Sequence, residues 1–113
     1  KFFFFSNLVD RDFFVRQMDY FRNKYYKVIF VIVSDDPDWC DRELSANDTL
    51  VVRGNSPEQD LSLLASCNHS IVDYGTFGLW GAMMAGGETL LYKLPSGVGV
   101  EVAELMPEWY LVT

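Results

Sequence analysis

Histidine occurs once in this 113-residue chain, at His69, and cysteine only twice, at Cys40 and Cys67. The cysteines are far apart and form no CxxC pair, so a structural zinc site has no ligand set to draw on. A disulfide between them would need an oxidising compartment, and the reading adopted is two ordinary buried thiols. Basic residues are scarce as well: 9 Lys and Arg against 16 Asp and Glu give a formal net charge of -7. That balance excludes a surface that tracks the phosphates of nucleic acid. It leaves room for a single nucleotide, which backbone amides and one or two cations can hold. Long hydrophobic runs are missing too. The longest, Val28 to Val33, is strand-sized, and neither a membrane span nor a signal peptide is visible.

Apolar residues make up 50% of the chain and aromatics 16%, enough to close a core of modest size. No repeat, low-complexity tract or linker divides it, so residues 1–113 are read as a single domain or part of one. Lys1 followed at once by Phe2, Phe3, Phe4 and Phe5 is unlike a solvated start. The expectation is therefore a partial domain, a piece of a longer protein.

Phe2 to Phe5 reads equally as a short strand or an apolar plug. From Asp10 to about Tyr26, the residues Phe14, Met18, Phe21 and Tyr25 recur at helical spacing, with Asp10 or Asp12 as N-cap. Val28 to Val33 is continuous and β-branched, as in a strand buried on both faces of a parallel sheet. Ser34-Asp35-Asp36-Pro37 stops it, and Asp36 is placed to cap a helix that starts at Pro37. Thr49 to Arg53 reads as a strand. Ser56-Pro57-Glu58-Gln59 is a capping box opening a helix. Ser70 to Asp73 is the next strand, Gly75 to Gly78 turns into a helix that Gly86-Gly87 ends, and Thr89 to Tyr92 is the last strand. Beyond Pro95 the expectation is irregular chain with a short helical turn near Pro107-Glu108-Trp109. Strands alternating with helices at this pitch predict a parallel α/β sheet.

Ligands of such sheets bind outside the carboxyl ends of the strands. Three loops qualify: Ser34-Asp35-Asp36, Arg53 to Asp60, and Tyr74 to Gly78. In the last, two glycines three apart suit close approach of a ligand to the backbone, and the following helix presents free amides to an anion. The same glycines also suit a tight turn with close helix–sheet packing through Gly81, Ala82 and Ala85. Asp60 either accepts hydrogen bonds from a base or ribose, or is a charge that stabilises a helix end. Asp36-Pro37-Asp38 has the DxD form of a metal-binding sugar transferase, but capping already accounts for Asp36 and Pro37. His69 has no partner acid or nucleophile nearby in sequence and reads as structural. Trp39, Trp80 and Trp109 read as core or rim. Two N-glycosylation sequons occur, at Asn47 in a polar loop and at Asn68 where a helix hands over to a buried strand.

Cys67-Asn68-His69-Ser70, then Gly75-Thr76-Phe77-Gly78-Leu79-Trp80 and Gly86-Gly87-Glu88-Thr89, resemble the "CNHT…GTFG-x-W…GG-[DE]-T" block of glycosyltransferase family 11, the alpha-1,2-fucosyltransferases. Asp10-Arg11-Asp12-Phe13 with Asp19-Tyr20-Phe21 looks like that family's "DR-x-[YF]…D-[YW]-F" helix. Ser34-Asp35-Asp36 with Trp39-Cys40 looks like its "SDD…WC" loop, and Ser56-Pro57 with Asp60 and Leu63-Leu64 like its "SP…D-x-x-LL" helix. Leu94-Pro95 and Pro107-Glu108-Trp109 look like its late "LP" and "PEW" elements. The likeness runs from about Val9 to Trp109.

The resemblance implies a Rossmann-like parallel sheet forming the C-terminal, donor-binding half of a GT-B enzyme. The parent would transfer fucose from GDP-fucose to the 2-hydroxyl of a terminal galactose on a glycan, with inversion and without a bound metal or other cofactor. In eukaryotes it would be a Golgi membrane protein facing the lumen, anchored by an N-terminal segment not contained in this sequence. Donor contacts carried over are Asp60 to guanine or ribose, and Gly75, Thr76, Phe77 and Gly78 to the pyrophosphate and fucose, with Ser34 and Asp35 beside them. Two departures stand out. Nothing in Lys1 to Val9 matches the family's arginine-rich "H-x-RRGD" donor motif, and Asp73-Tyr74 replaces a short apolar pair. They leave an alternative, a non-catalytic nucleotide- or glycan-binding module that has lost the donor arginines. On either reading this chain alone is expected to be inactive in transfer.

Overall fold

Capping residues set where the helices start, and continuous apolar runs set which strands lie inside. The computed structural model describes residues 10–73, 76–94 and 97–113, together with the backbone of strand β1 (Phe2–Ser6); of Thr76 it describes the backbone. Helix α1 (Arg11–Lys24) starts where Asp10 Oδ1 accepts from Phe13 N at 3.1 Å. Its apolar stripe, Phe13, Phe14, Met18 and Phe21, is buried. Then follow β2 (Phe30–Ser34), α2 (Pro37–Leu44), β3 (Thr49–Val51), α3 (Pro57–Ala65), β4 (Ser70–Val72), α4 (Thr76–Ala85), β5 (Thr89–Tyr92), α5 (Val98–Leu105) and β6 (Trp109–Val112).

Among the described residues all strand pairs are parallel. They form two three-stranded sheets, β1-β2-β3 and β4-β5-β6, and β1 lies beside β4. Read across, the strands run β3, β2, β1, β4, β5, β6. This is compatible with a Rossmann-like sheet, whose direction of winding reverses between β1 and β4.

Period-two alternation sends side chains to both faces. On one face Phe30 and Ile32 of β2, Ile71 of β4 and Leu90 of β5 meet Phe13, Phe14, Met18 and Phe21 of α1 and Cys40 and Leu44 of α2. On the other, Val31 and Val33 meet Leu64 of α3, while Val72 and Leu91 meet Leu79, Ala82 and Ala103 of α4 and α5. Cys40 and Cys67 fall in clusters on opposite faces, are buried and are not joined in a disulfide, and burial pushes the Cys40 thiol up.

The structure corrects two expectations. The run Val28 to Val33 is not strand throughout: β2 starts at Phe30, where pairing with β1 and β3 begins, and Ile29 is exposed. The segment after Pro95 is also more regular than expected, forming α5 and β6. Glu108 takes φ 63°, and its carbonyl accepts from Thr89 N at 2.9 Å, which brings Trp109 to Val112 alongside β5. Pro107-Glu108 is thus the turn into a strand rather than a helical turn. Among the described residues no helix is long and apolar enough to cross a membrane.

Candidate functional site

Because the strands are parallel, the carboxyl ends of β2, β3 and β4 share one edge, and each leads into a loop at that edge. After β2, Ser34 Oγ accepts from Asp36 N at 3.0 Å, and Asp36 Oδ1 accepts from Trp39 N at 3.1 Å to cap α2. Asp35 is exposed between them. The other acid of the DxD pattern, Asp38, pairs with Arg53 at 2.9 Å, and the same guanidinium also holds Asp41. Asp36 and Asp38 thus have separate structural partners, and the described residues contain no cluster of acids, histidines or cysteines able to hold a metal ion.

After β3, the start of α3 is tied by three side-chain hydrogen bonds. Ser56 Oγ accepts from Gln59 N at 3.2 Å, and Gln59 Oε1 accepts from Ser56 N at 2.8 Å, closing the capping box. Asn55 Nδ2 donates to Asp60 Oδ1 at 3.2 Å. Asp60 is half-buried one turn into the helix, with its carboxylate at the strand-end edge.

After β4, Tyr74 and Gly75 lie outside the described residues. Thr76 is the first residue of α4 and Gly78 is buried in its first turn. Phe77 packs against the cluster of Val31, Val33, Leu64 and Cys67, so part of its ring is anchored in the core. Asp73, fully buried, ends the strand at the point where the winding reverses. The sequence had flagged that residue only as a departure from pattern.

Helices α3 and α4 both run away from the strand-end edge and pack together at Leu64 and Gly81. A Cβ on Gly81 would lie 2.7 Å from Leu64 Cβ, so the helices meet there only because residue 81 is glycine. Asp60 and Phe77 each lie one turn closer to the edge than this contact. Two helix N-termini, that of α3 carrying a carboxylate and that of α4 holding Gly78, therefore stand side by side. Ser34 and Asp35 share the edge from the far side of β1. Gly81 thus serves helix–helix packing, while Ala82 faces Val72 and Leu91 of the sheet.

The remaining motif residues collect at the opposite edge. Glu88, 4% exposed, accepts from Lys24 Nζ and from the Tyr25 hydroxyl at 2.6 Å each, and from the Tyr20 hydroxyl at 2.8 Å. Its own amide donates to His69 Nδ1 at 2.9 Å, and the His69 ring stacks on Tyr25. Burial raises the Glu88 carboxyl, but the hydrogen bonds from Lys24, Tyr25 and Tyr20 outweigh it and bring the group down to about 2. The bond to Glu88 pushes the Tyr25 hydroxyl up to about 12, and burial lowers His69. A Cβ on Gly87 would lie 1.7 Å from the Asn68 carbonyl oxygen, while Gly86 turns the chain at φ 80°. His69, Gly86, Gly87 and Glu88 therefore lock α1 to β4 and β5, far from the loops. Asn47 is exposed in the turn before β3, where Thr49 of its sequon bonds to Ala46; Asn68 is exposed, but Ser70 of its sequon is buried.

The sequence pattern of "Glycosyl transferase family 11" matches residues 3–98, from β1 to the first residue of α5. The chain belongs to glycosyl transferase family 11. It is 36% identical over 114 residues to a galactoside 2-alpha-L-fucosyltransferase of Bos taurus, covering 90% of this chain and 31% of that protein. It is 37% identical over 114 residues to galactoside alpha-(1,2)-fucosyltransferase 2 of Rattus norvegicus, covering 90% and 32%, and 36% identical to that of Sus scrofa, covering 90% and 34%. The chain spans about a third of the length of these relatives. No solved structure matches it. In this family 11 chain the motif residues divide by edge. Those of the His69–Glu88 lock hold the fold, and those around Ser34, Asp60 and Gly78 surround the ends of the strands.

Proposed function

We propose that this family 11 chain is the donor-binding half of a GT-B alpha-1,2-fucosyltransferase that carries fucose from GDP-fucose to the 2-hydroxyl of a terminal galactose. The observation that supports it most is the pairing of α3 and α4 at Leu64 and Gly81, which sets a carboxylate beside a helix N-terminus at one edge of a parallel sheet. Asp60 accepts hydrogen bonds from the donor N–H groups of guanine. The amides opening α4 face the diphosphate, where a helix end favours negative charge.

In the transfer step the bond from fucose C1 to the diphosphate oxygen breaks. A bond from the galactose 2-hydroxyl oxygen forms on the opposite face, and that hydroxyl gives up its proton to a base. Charge develops on the departing GDP, and fixed amide donors aimed at it lower the barrier. This chain's part is to hold and stabilise the nucleotide. No metal is assigned a role, since Asp36 is used as a cap and Asp38 pairs with Arg53. The parent protein would work in the Golgi lumen.

The reading is tested by saturation-transfer NMR of GDP-fucose with this chain. It predicts contacts at guanine H8 and the anomeric proton of fucose, displaced by GDP and not by galactose, with no transfer to lactose by the chain alone. Absence of GDP-displaceable contacts would remove the assignment.

A further inference from the structure

Asn55 sits immediately before the Ser56 cap, exposed, and its amide spans the cap to reach Asp60. In many helices the residue before the cap packs on the fourth residue of the helix as a hydrophobic staple. Here the same two positions are joined by a polar contact, Asn55 Nδ2 to Asp60 Oδ1 at 3.2 Å. The capping box alone already satisfies the helix end, with Ser56 and Gln59 bonded in both directions and Asp60 N donating to the Ser56 carbonyl at 3.0 Å. Asn55 adds nothing to that backbone satisfaction. What it does is take up one lone pair of Oδ1, leaving the rest of the carboxylate's acceptor capacity for other donors.

We propose that Asn55 is a positioning residue for purine recognition, holding the Asp60 carboxylate so that both of its oxygens meet the N1–H and exocyclic amino group of a guanine nucleotide. The proposal rests on the reading above that Asp60 faces the base. Two parallel hydrogen bonds to one carboxylate demand a fixed plane, and a freely rotating Asp60 would make them only part of the time. Hypoxanthine lacks the exocyclic amino group and so needs the plane less, and adenine presents an acceptor where guanine has N1–H. Asn55 is therefore expected to act on the preference among bases and not only on affinity.

The test is calorimetric titration of GDP, IDP and ADP against this chain and its N55A, N55D and D60N variants, with a melting curve for each. Loss of the single hydrogen bond that orients the carboxylate predicts about fivefold weaker GDP binding by N55A, with IDP less affected and the melting temperature within a degree or two of wild type. N55D, which sets a second carboxylate beside Asp60, is expected to lose more. If D60N erodes the GDP-over-IDP ratio while both Asn55 variants leave it unchanged, the positioning role is overturned and the role of Asp60 stands. Equal losses for GDP and IDP with a lowered melting temperature also overturn it, because Asn55 would then only stabilise the helix. If D60N leaves the ratio unchanged, or wild type binds no GDP, the base-facing reading falls and the Asn55 proposal with it.

Discussion

Leu64 of α3 rests on Gly81 of α4 with no room for a side chain between them, since a Cβ at position 81 would come within 2.7 Å of Leu64 Cβ and 2.8 Å of its Cδ1. That contact sets how far apart the two helix N-termini stand, and so couples a packing position to the nucleotide edge one turn away. Gly81→Ala must push α3 outward or turn the Leu64 side chain. Overpacking of this kind costs about 1–3 kcal/mol. The melting temperature should fall, and GDP binding should weaken in the protein that remains folded. Leu64→Ala in the same chain should restore GDP affinity in part by making room, although the double variant stays less stable. Unchanged stability in Gly81→Ala would show that the helices are not held at this point.

The Glu88 lock predicts a pH dependence. Its carboxyl is lowered in the folded chain to about 2 from an ordinary 4.5. A group depressed by folding adds stability above its unfolded value, and that stability drains away as pH falls through the folded one. Stability should therefore decline from about pH 5 downward, by on the order of 1–3 kcal/mol once the half-exposed Lys24 end is discounted for screening. Glu88→Gln should lose most of that amount at pH 7 and show a flatter acid limb in urea unfolding. A variant with the wild-type acid limb would place the titration on another carboxyl group.

Asp36 and Asp38 have structural partners, and this carries a prediction about metals. GDP binding by this chain should be the same in EDTA as in Mn²⁺, and Asp38→Asn should alter stability only slightly without touching affinity, as expected of a solvent-exposed ion pair. Binding abolished by chelation and restored by Mn²⁺ would return these two acids to a metal-binding role.

Much of this fold is written in short-range chemistry. Asp10, Asp36 and Ser56 cap the helices that the sequence assigns to them, and Phe14, Met18 and Phe21 form the buried stripe their spacing predicts. What sequence spacing could not give depends on distant partners. Helix α5 contains a glycine and three valines, poor helix formers, and is held by packing of Ala103 among Leu79, Leu91 and Trp109. His69 read as lacking a polar partner because Glu88 comes 19 residues later, and Lys24 meets that carboxylate from 64 residues away. The candidate site divides in the same way. Its loops were legible because strands and helices alternate along the sequence, whereas the placement of Asp60 beside the α4 N-terminus follows from a helix–helix contact at Gly81, a glycine read from sequence as packing helix on sheet.

The central claim is that the strand-end edge beside α3 and α4 holds a guanine nucleotide by both its base and its diphosphate. Titration calorimetry of GDP and of guanosine against this chain and its Gly78→Val variant tests it most directly. Charge-assisted hydrogen bonds contribute roughly 1.5–3 kcal/mol each, so one retained at the helix end predicts at least a tenfold preference for GDP over guanosine. Gly78 is buried in the first turn of α4, where a branched side chain would crowd the amides. Gly78→Val should therefore erase most of the GDP preference while guanosine binding survives. Equal weakening of both ligands, accompanied by a lower melting temperature, would contradict the account and leave the glycine a packing residue.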